Sequence, residues 1–243
     1  MTWTGLNEPM YFSPVAIATL PALTRSTVGK KAIMAVTGGL LVLFILGHML
    51  GNLKIFFGAD EFNGYAAWLQ KIGDPVLHKS WFIWLQRTGL TVAVGLHIWA
   101  AATLTARAKK ARPVKYQHRP KVNGSYAART MRWGGVILVL FVIWHILDLT
   151  VGVVNPHGVH GEVYQNVVAD FAPSRWYITL FYAAAVVALG FHLRHGLVSA
   201  VQTLGRKRPA SEKPLNLFAT GFAVVIVLGY LVVPFSVMTG LVK

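Results

Sequence analysis

The sequence predicts an all-α protein of five membrane-spanning helices, the first four forming a bundle around a buried site. Three observations carry this. The chain has 243 residues, 55% of them hydrophobic and 13% charged, with a mean hydropathy of +0.53; a soluble domain carries roughly twice that charged share. Five apolar runs are each long enough to cross about 30 Å of hydrocarbon as a helix. Each of the first four runs holds a histidine at depth: His48, His97, His145 and His192.

Residues 1–27 read as a cytoplasmic N-terminal arm. Pro9, Pro14 and Pro21 interrupt it, and it lacks the basic start and apolar core of a cleavable leader. The spans follow at about residues 32–57, 81–106, 133–154, 176–204 and 215–241. Helix is the only conformation open to such runs, because backbone polar groups in lipid must be satisfied within the segment. The whole chain, 1–243, is one transmembrane domain. Between the first two spans, residues 59–80 contain Tyr65-Ala66-Ala67-Trp68-Leu69, which reads as a short amphipathic helix on the membrane surface. Residues 155–174 read as a connection that is more than a simple turn, in which His157 and His160 either hold a metal or, as is commoner for loop histidines, are solvated.

Charge sets the orientation. Sixteen of the 23 Lys and Arg residues precede the first span or lie in the second and fourth connections; six lie on the opposite side, and Arg194 falls within a span. The excess marks the cytoplasm, so the N-terminus is inside and the C-terminus outside. The net charge of +15 therefore sits almost wholly on one face. Anionic lipid accounts for it, with a cytoplasmic docking partner as a compatible second use, and nucleic acid is not expected. The basic loop Lys109–Arg129, with Tyr116 and Tyr126, is the best docking candidate.

An imidazole within a span is costly and marks function. Depth follows from about 1.5 Å of rise per residue. His48 precedes Lys54 by six residues and His145 precedes Asp148 by three, so both are shallow on the outer side. His97 lies ten residues after Arg87 and His192 seventeen after Arg175, which is deeper. Depth thus pairs His48 with His145 and His97 with His192. Two pairs of imidazoles are what two six-coordinate b-type haems require. Gly47 and Gly51, Gly95, and Gly190 and Gly196 stand near these histidines and leave room for a flat macrocycle, though they equally serve helix packing. His195, three residues after His192, shares its face, so spacing alone leaves either as the ligand. There is no cysteine, which excludes disulfides, thiolate-ligated haem and an iron–sulfur cluster held by this chain alone.

Several stretches together resemble the five-span, two-haem membrane anchor of succinate dehydrogenases and fumarate reductases, the cytochrome b558/b556 group. They are Gly29-Lys30-Lys31-Ala32 through Gly38-Gly39, Gly47-His48-Met49-Leu50-Gly51-Asn52-Leu53, Phe62-Asn63-Gly64-Tyr65-Ala66-Ala67-Trp68-Leu69, and Phe191-His192-Leu193-Arg194-His195-Gly196. The resemblance implies that His48 and His145 ligate a distal haem b and His97 and His192 a proximal one. It favours His192 over His195, because the family's ligand stands four residues before the glycine matching Gly196. It also implies a bacterial inner-membrane location and partner flavoprotein and iron–sulfur subunits on the cytoplasmic side. Electrons would pass between those partners and menaquinone in succinate oxidation or fumarate reduction.

Polar residues near the outer pair, namely Asn52, Tyr65, Gln70 and Asp148, are candidate quinone or proton contacts; capping and interfacial anchoring are their competing roles. Lys31, Arg132 and Gln202 are placed to meet haem propionates near the cytoplasm, and Arg194 is an intramembrane charge that can do the same. Two other readings compete: a proton-coupled transporter with a histidine relay, and the haem b subunit of another respiratory oxidoreductase.

Overall fold

The computed structural model describes residues 24–111, 126–159, 161–203, 205 and 212–243. Most of the N-terminal arm, the centre of the basic loop with His118, and His160 lie outside the described residues. Among the described residues there is no strand, and five helices are long and apolar enough to cross a membrane.

Helix α1 (Thr27–Leu53) starts where Ser26 caps it, its Oγ accepting from Gly29 N at 2.9 Å. A 3₁₀ turn, Lys54–Phe57, extends it. Gly58, at φ 98°, then breaks the chain into α2 (Ala59–Lys71), which carries Asp60 and Glu61 in its first turn and Lys71 in its last. Helix α3 (Trp81–Lys110) ends on Arg107, Lys109 and Lys110, which complement the negative end of its dipole. Helix α4 (Tyr126–His145) runs directly into a π turn, Ile146–Val151, closed by Gly152 at φ 80°. Helix α5 (Val163–Asp170) is a short element inside the segment expected to be loop. A 3₁₀ turn, Pro173–Arg175, leads into α6 (Trp176–Thr203). Helix α7 (Glu212–Met238) ends where Leu241 N and Val242 N both return to Ser236 O and Gly240 takes φ 75°.

Helix α1 starts five residues before its expected span and α3 ends four after its own, because a helix runs on to its cap; α4 starts seven residues early with its π turn stopping at Val151, three short, and α7 both starts and ends three residues early. The most extensive helix contacts join α6 to α7, α1 to α3 and α4 to α6, and α1 also touches α6 and α7. The fifth span therefore packs against the bundle, with Ile226 fully buried and Tyr230 Oη donating to Ile45 O on α1 at 2.7 Å. Helices α2 and α5 cover the end of the bundle that holds the C-terminus of α1. Phe62 and Val167 join Ile55, Phe171, Ile178, Tyr182 and Val237 in one apolar cluster, and Tyr164 N donates to Asn63 Oδ1 at 3.0 Å. A second cluster around Met49, Leu193, Ala223 and Ile226 fills the middle of the bundle.

Candidate functional site

The four span histidines meet as two pairs. His48, one turn before the end of α1, faces His145 at the end of α4, with ring centres 5.9 Å apart and planes at 82°. His97 of α3 faces His192 of α6, with centres 6.2 Å apart and planes at 53°. These are the partners that depth along the spans pairs, and the ring set against His97 is that of His192.

Each ring is held by neighbours. Phe44 stacks on His48 at 5.3 Å and Phe141 on His145 at 5.7 Å, in each case one helical turn earlier. On the deeper pair, glycines give the imidazoles room. A Cβ added to Gly38 of α1 would come within 3.3 Å of His97 Cε1, and one on Gly135 of α4 within 3.9 Å of His192 Cε1.

Hydrogen bonding selects one ring nitrogen of two histidines. Thr37 Oγ1 donates its single proton to Ile33 O at 2.7 Å. At 3.2 Å from His97 Nδ1 it therefore acts as the acceptor, so His97 Nδ1 carries a proton and Nε2 keeps its lone pair. His145 is arranged alike. Tyr182 Oη donates to Asp148 Oδ2 at 2.7 Å and lies 3.4 Å from His145 Nδ1, which leaves Nε2 of His145 free. His192 Nδ1 is buried and has no hydrogen-bond partner.

The remaining expected residues fall in different places. Asp148 is buried at 1% exposure and turned inward by the π turn. Tyr65 packs its ring on Gly51, beneath Lys54 Nζ at 5.4 Å and stacked on Trp68. With Lys54, Asp60, Glu61 and Trp68 it lines a shallow cleft at that end of the bundle. Asn52 is half-buried and Gln70 exposed. Lys31, Arg132 and Gln202 are exposed near the opposite end of the bundle. Arg194 donates from Nε to Thr220 Oγ1 on α7 at 2.8 Å.

Sequence reasoning missed three residues: Asp170, Arg175 and Tyr182. Arg175 Nη2 pairs with Asp170 Oδ1 at 3.0 Å, with both side chains almost wholly out of solvent. Its Nη1 donates to Asn155 Oδ1 at 3.3 Å. Burial first, and then the adjoining Asp148 carboxyl, push the Asp170 carboxyl up to about 7 against the opposing pull of Arg175. The available signal was the spacing of Arg175, Thr179 and Tyr182, which places all three on one helical face.

Residues 106–228, just over half of the chain and including His145 and His192, match the model of the succinate dehydrogenase/fumarate reductase transmembrane subunit family. No curated protein and no solved structure matches. With five apolar helices long enough to cross a bilayer and a family match that takes in two of the four span histidines, the chain belongs to the succinate dehydrogenase/fumarate reductase transmembrane subunit family.

Proposed function

We propose that this membrane subunit is a dihaem cytochrome b anchor, with one haem b between His48 and His145 and a second between His97 and His192. It would pass electrons between a cytoplasmic iron–sulfur subunit and menaquinone, while the flavoprotein partner carries the dicarboxylate site. The chain would sit in a bacterial inner membrane with its basic N-terminal side in the cytoplasm.

The observation that carries this reading is the separation of the rings. An iron held about 2 Å from each imidazole nitrogen, with each nitrogen about 1 Å from its ring centre, needs centres about 6 Å apart. The two pairs stand at 5.9 and 6.2 Å. A direct N–H···N bond, at about 3 Å, would draw the centres to about 5 Å, so the spacing favours an intervening atom over a histidine relay. Among the described residues no three His, Asp or Glu side chains converge to hold a bare ion, whereas a porphyrin iron asks only two ligands of the protein. The acceptors on His97 and His145 Nδ1 leave Nε2 as the coordinating atom and fix each ring's rotation. Bound haem would supply a one-electron relay with no open coordination position.

This chain's own residues would do the rest. The glycines facing the deeper rings would admit a flat ligand, Lys31, Arg132 and Gln202 would meet propionates at the cytoplasmic end, and Asn52, Tyr65 and Gln70 would contact quinone on the outer side. Reduced-minus-oxidised spectra of the purified complex, with each of the four histidines replaced by alanine in turn, test the proposal. His97→Ala and His192→Ala should each remove the same b-type component, and His48→Ala and His145→Ala should each remove the other. Variants that leave both components intact refute it.

A further inference from the structure

At the outer end of the bundle two carboxyls are buried against each other. Asp148, on the π turn, is 1% exposed, and Asp170, the last residue of α5, is fully buried. The Asp148 carboxyl adjoins that of Asp170 and raises the cost of ionising it, and neither Asp148 Oδ1 nor either Asp170 oxygen has a hydrogen-bond donor. Charge decides how many protons the pair holds. The titratable and charged groups facing the pair are Arg175 of the 3₁₀ turn and Tyr182 of α6, while α7 brings Val233 and Val237 to this region. With one shared proton the two carboxyls and the Arg175 guanidinium are neutral together; with none, a net negative charge is buried.

The surroundings are built for a mobile proton. Asp148 Oδ1, Arg175 Nε, Thr179 Oγ1 and Trp144 Nε1 are all buried without hydrogen-bond partners. A concentration of such atoms calls for internal water. On the outer side, Arg175 leads through Asn155 to the exposed segment 156–159. On the inner side, Asp148 Oδ2 accepts from Tyr182 Oη, which lies against His145. The cluster thus spans the distance between outer water and the outer histidine pair.

We propose that Asp148 and Asp170 form a one-proton exchange site that supplies protons from outer water to quinone reduced beside the outer histidine pair. This rests on the reading of the chain as a quinone-reactive haem anchor. Reduction of a quinone to its quinol takes two electrons from the dicarboxylate side and two protons from water. For each proton the site delivers, a carboxyl O–H bond breaks, an O–H bond forms on a quinone oxygen, and a proton from outer water restores the pair. Internal water and the Tyr182 hydroxyl carry it inward.

Infrared difference spectroscopy on the purified complex, in ordinary and heavy water, tests this. In the wild-type complex freed of quinone, a carboxylic acid C=O band, shifted by deuteration, should be present at about pH 6 and lost by about pH 8, following ionisation of a single group. Asp170→Asn and Asp148→Asn should abolish the band while retaining both haem components. They should also slow quinone reduction by about tenfold or more, with a flattened pH profile. The wild-type titration needs no variant to fold. Absence of any titrating carboxyl band in the wild type, its persistence in both variants, or an unchanged pH profile of quinone reduction overturns the proposal. A wild-type complex without haem would instead overturn the anchor reading, and the infrared titration would still report on the pair.

Discussion

Replacing Arg175 by methionine keeps the volume of the side chain's stem and removes the one cation set against Asp148 and Asp170 among the described residues. Solvent cannot compensate, since the Arg175 side chain is 10% exposed and that of Asp170 0%. Stripping one partner from a buried ion pair costs about 3–5 kcal/mol when the other must stay charged. Here it need not stay charged. The Asp170 carboxyl, already raised to about 7, rises further once the guanidinium is gone. At about pH 6 the carboxyl is then protonated, and the variant loses chiefly the ion-pair contact and the Asn155 hydrogen bond, about 1–3 kcal/mol. As the pH climbs, the folded variant goes on holding a proton that the unfolded chain has released. Each further pH unit therefore costs roughly 1 kcal/mol until the higher pKa is passed. In the wild type the same loss occurs between the ordinary carboxyl value of 3.8 and about 7 and then levels off. Thermal unfolding of the purified protein in one detergent, at about pH 6 and about pH 8, reads the difference: Arg175→Met should lower the midpoint at both and more deeply at the higher pH. A loss equal at the two values, or larger at the lower one, would refute the reasoning that one proton balances this cluster.

Gly38→Leu should displace the His97 ring, because even a Cβ there comes within 3.3 Å of Cε1. Haem spectra should show loss of the component assigned to His97 and His192 and retention of the other. Gly190→Ala should destabilise the α6–α7 contact by about 1–3 kcal/mol, since the new Cβ falls 2.6 Å from Cγ2 of the stiff, β-branched Val227; a lowered thermal midpoint checks it. Electron paramagnetic resonance of the oxidised complex should resolve two low-spin ferric signals of unequal anisotropy. Near-perpendicular imidazoles leave two iron orbitals close in energy and their orbital moment unquenched, so the pair with planes at 82° should give the broader spread and the pair at 53° the narrower. His48→Ala should remove the broader signal.

The five spans are legible because lipid leaves the chain one conformation and a composition to match. Their ends are less so. Ser26 and the Arg107–Lys110 turn extend α1 and α3 beyond the apolar runs, and those capping interactions act outside the hydrocarbon. Helix α5 was hidden by Pro156, Gly158 and Gly161, which read as loop, although Val163, Val167 and Phe171 recur at four-residue spacing and the last two are buried. Ring placement follows from counting along rigid rods, which is why the histidine partners could be anticipated. The Asp148–Asp170–Arg175 cluster could not. It joins the end of one span to a short helix and the start of another, and Asp148 turns inward only because the helix there widens into a π turn. In sequence Asp148 reads as a quinone or proton contact, a cap or an interfacial anchor, and its burial against Asp170 depends on tertiary packing by α5.

The central claim is two irons, each held between imidazoles of different helices. Haem extracted from the purified complex and quantified as its pyridine derivative, against polypeptide measured by amino-acid analysis, tests it most directly. The account requires two b-type haems for each copy of this chain. One haem, or none, in a complex that remains folded would contradict it.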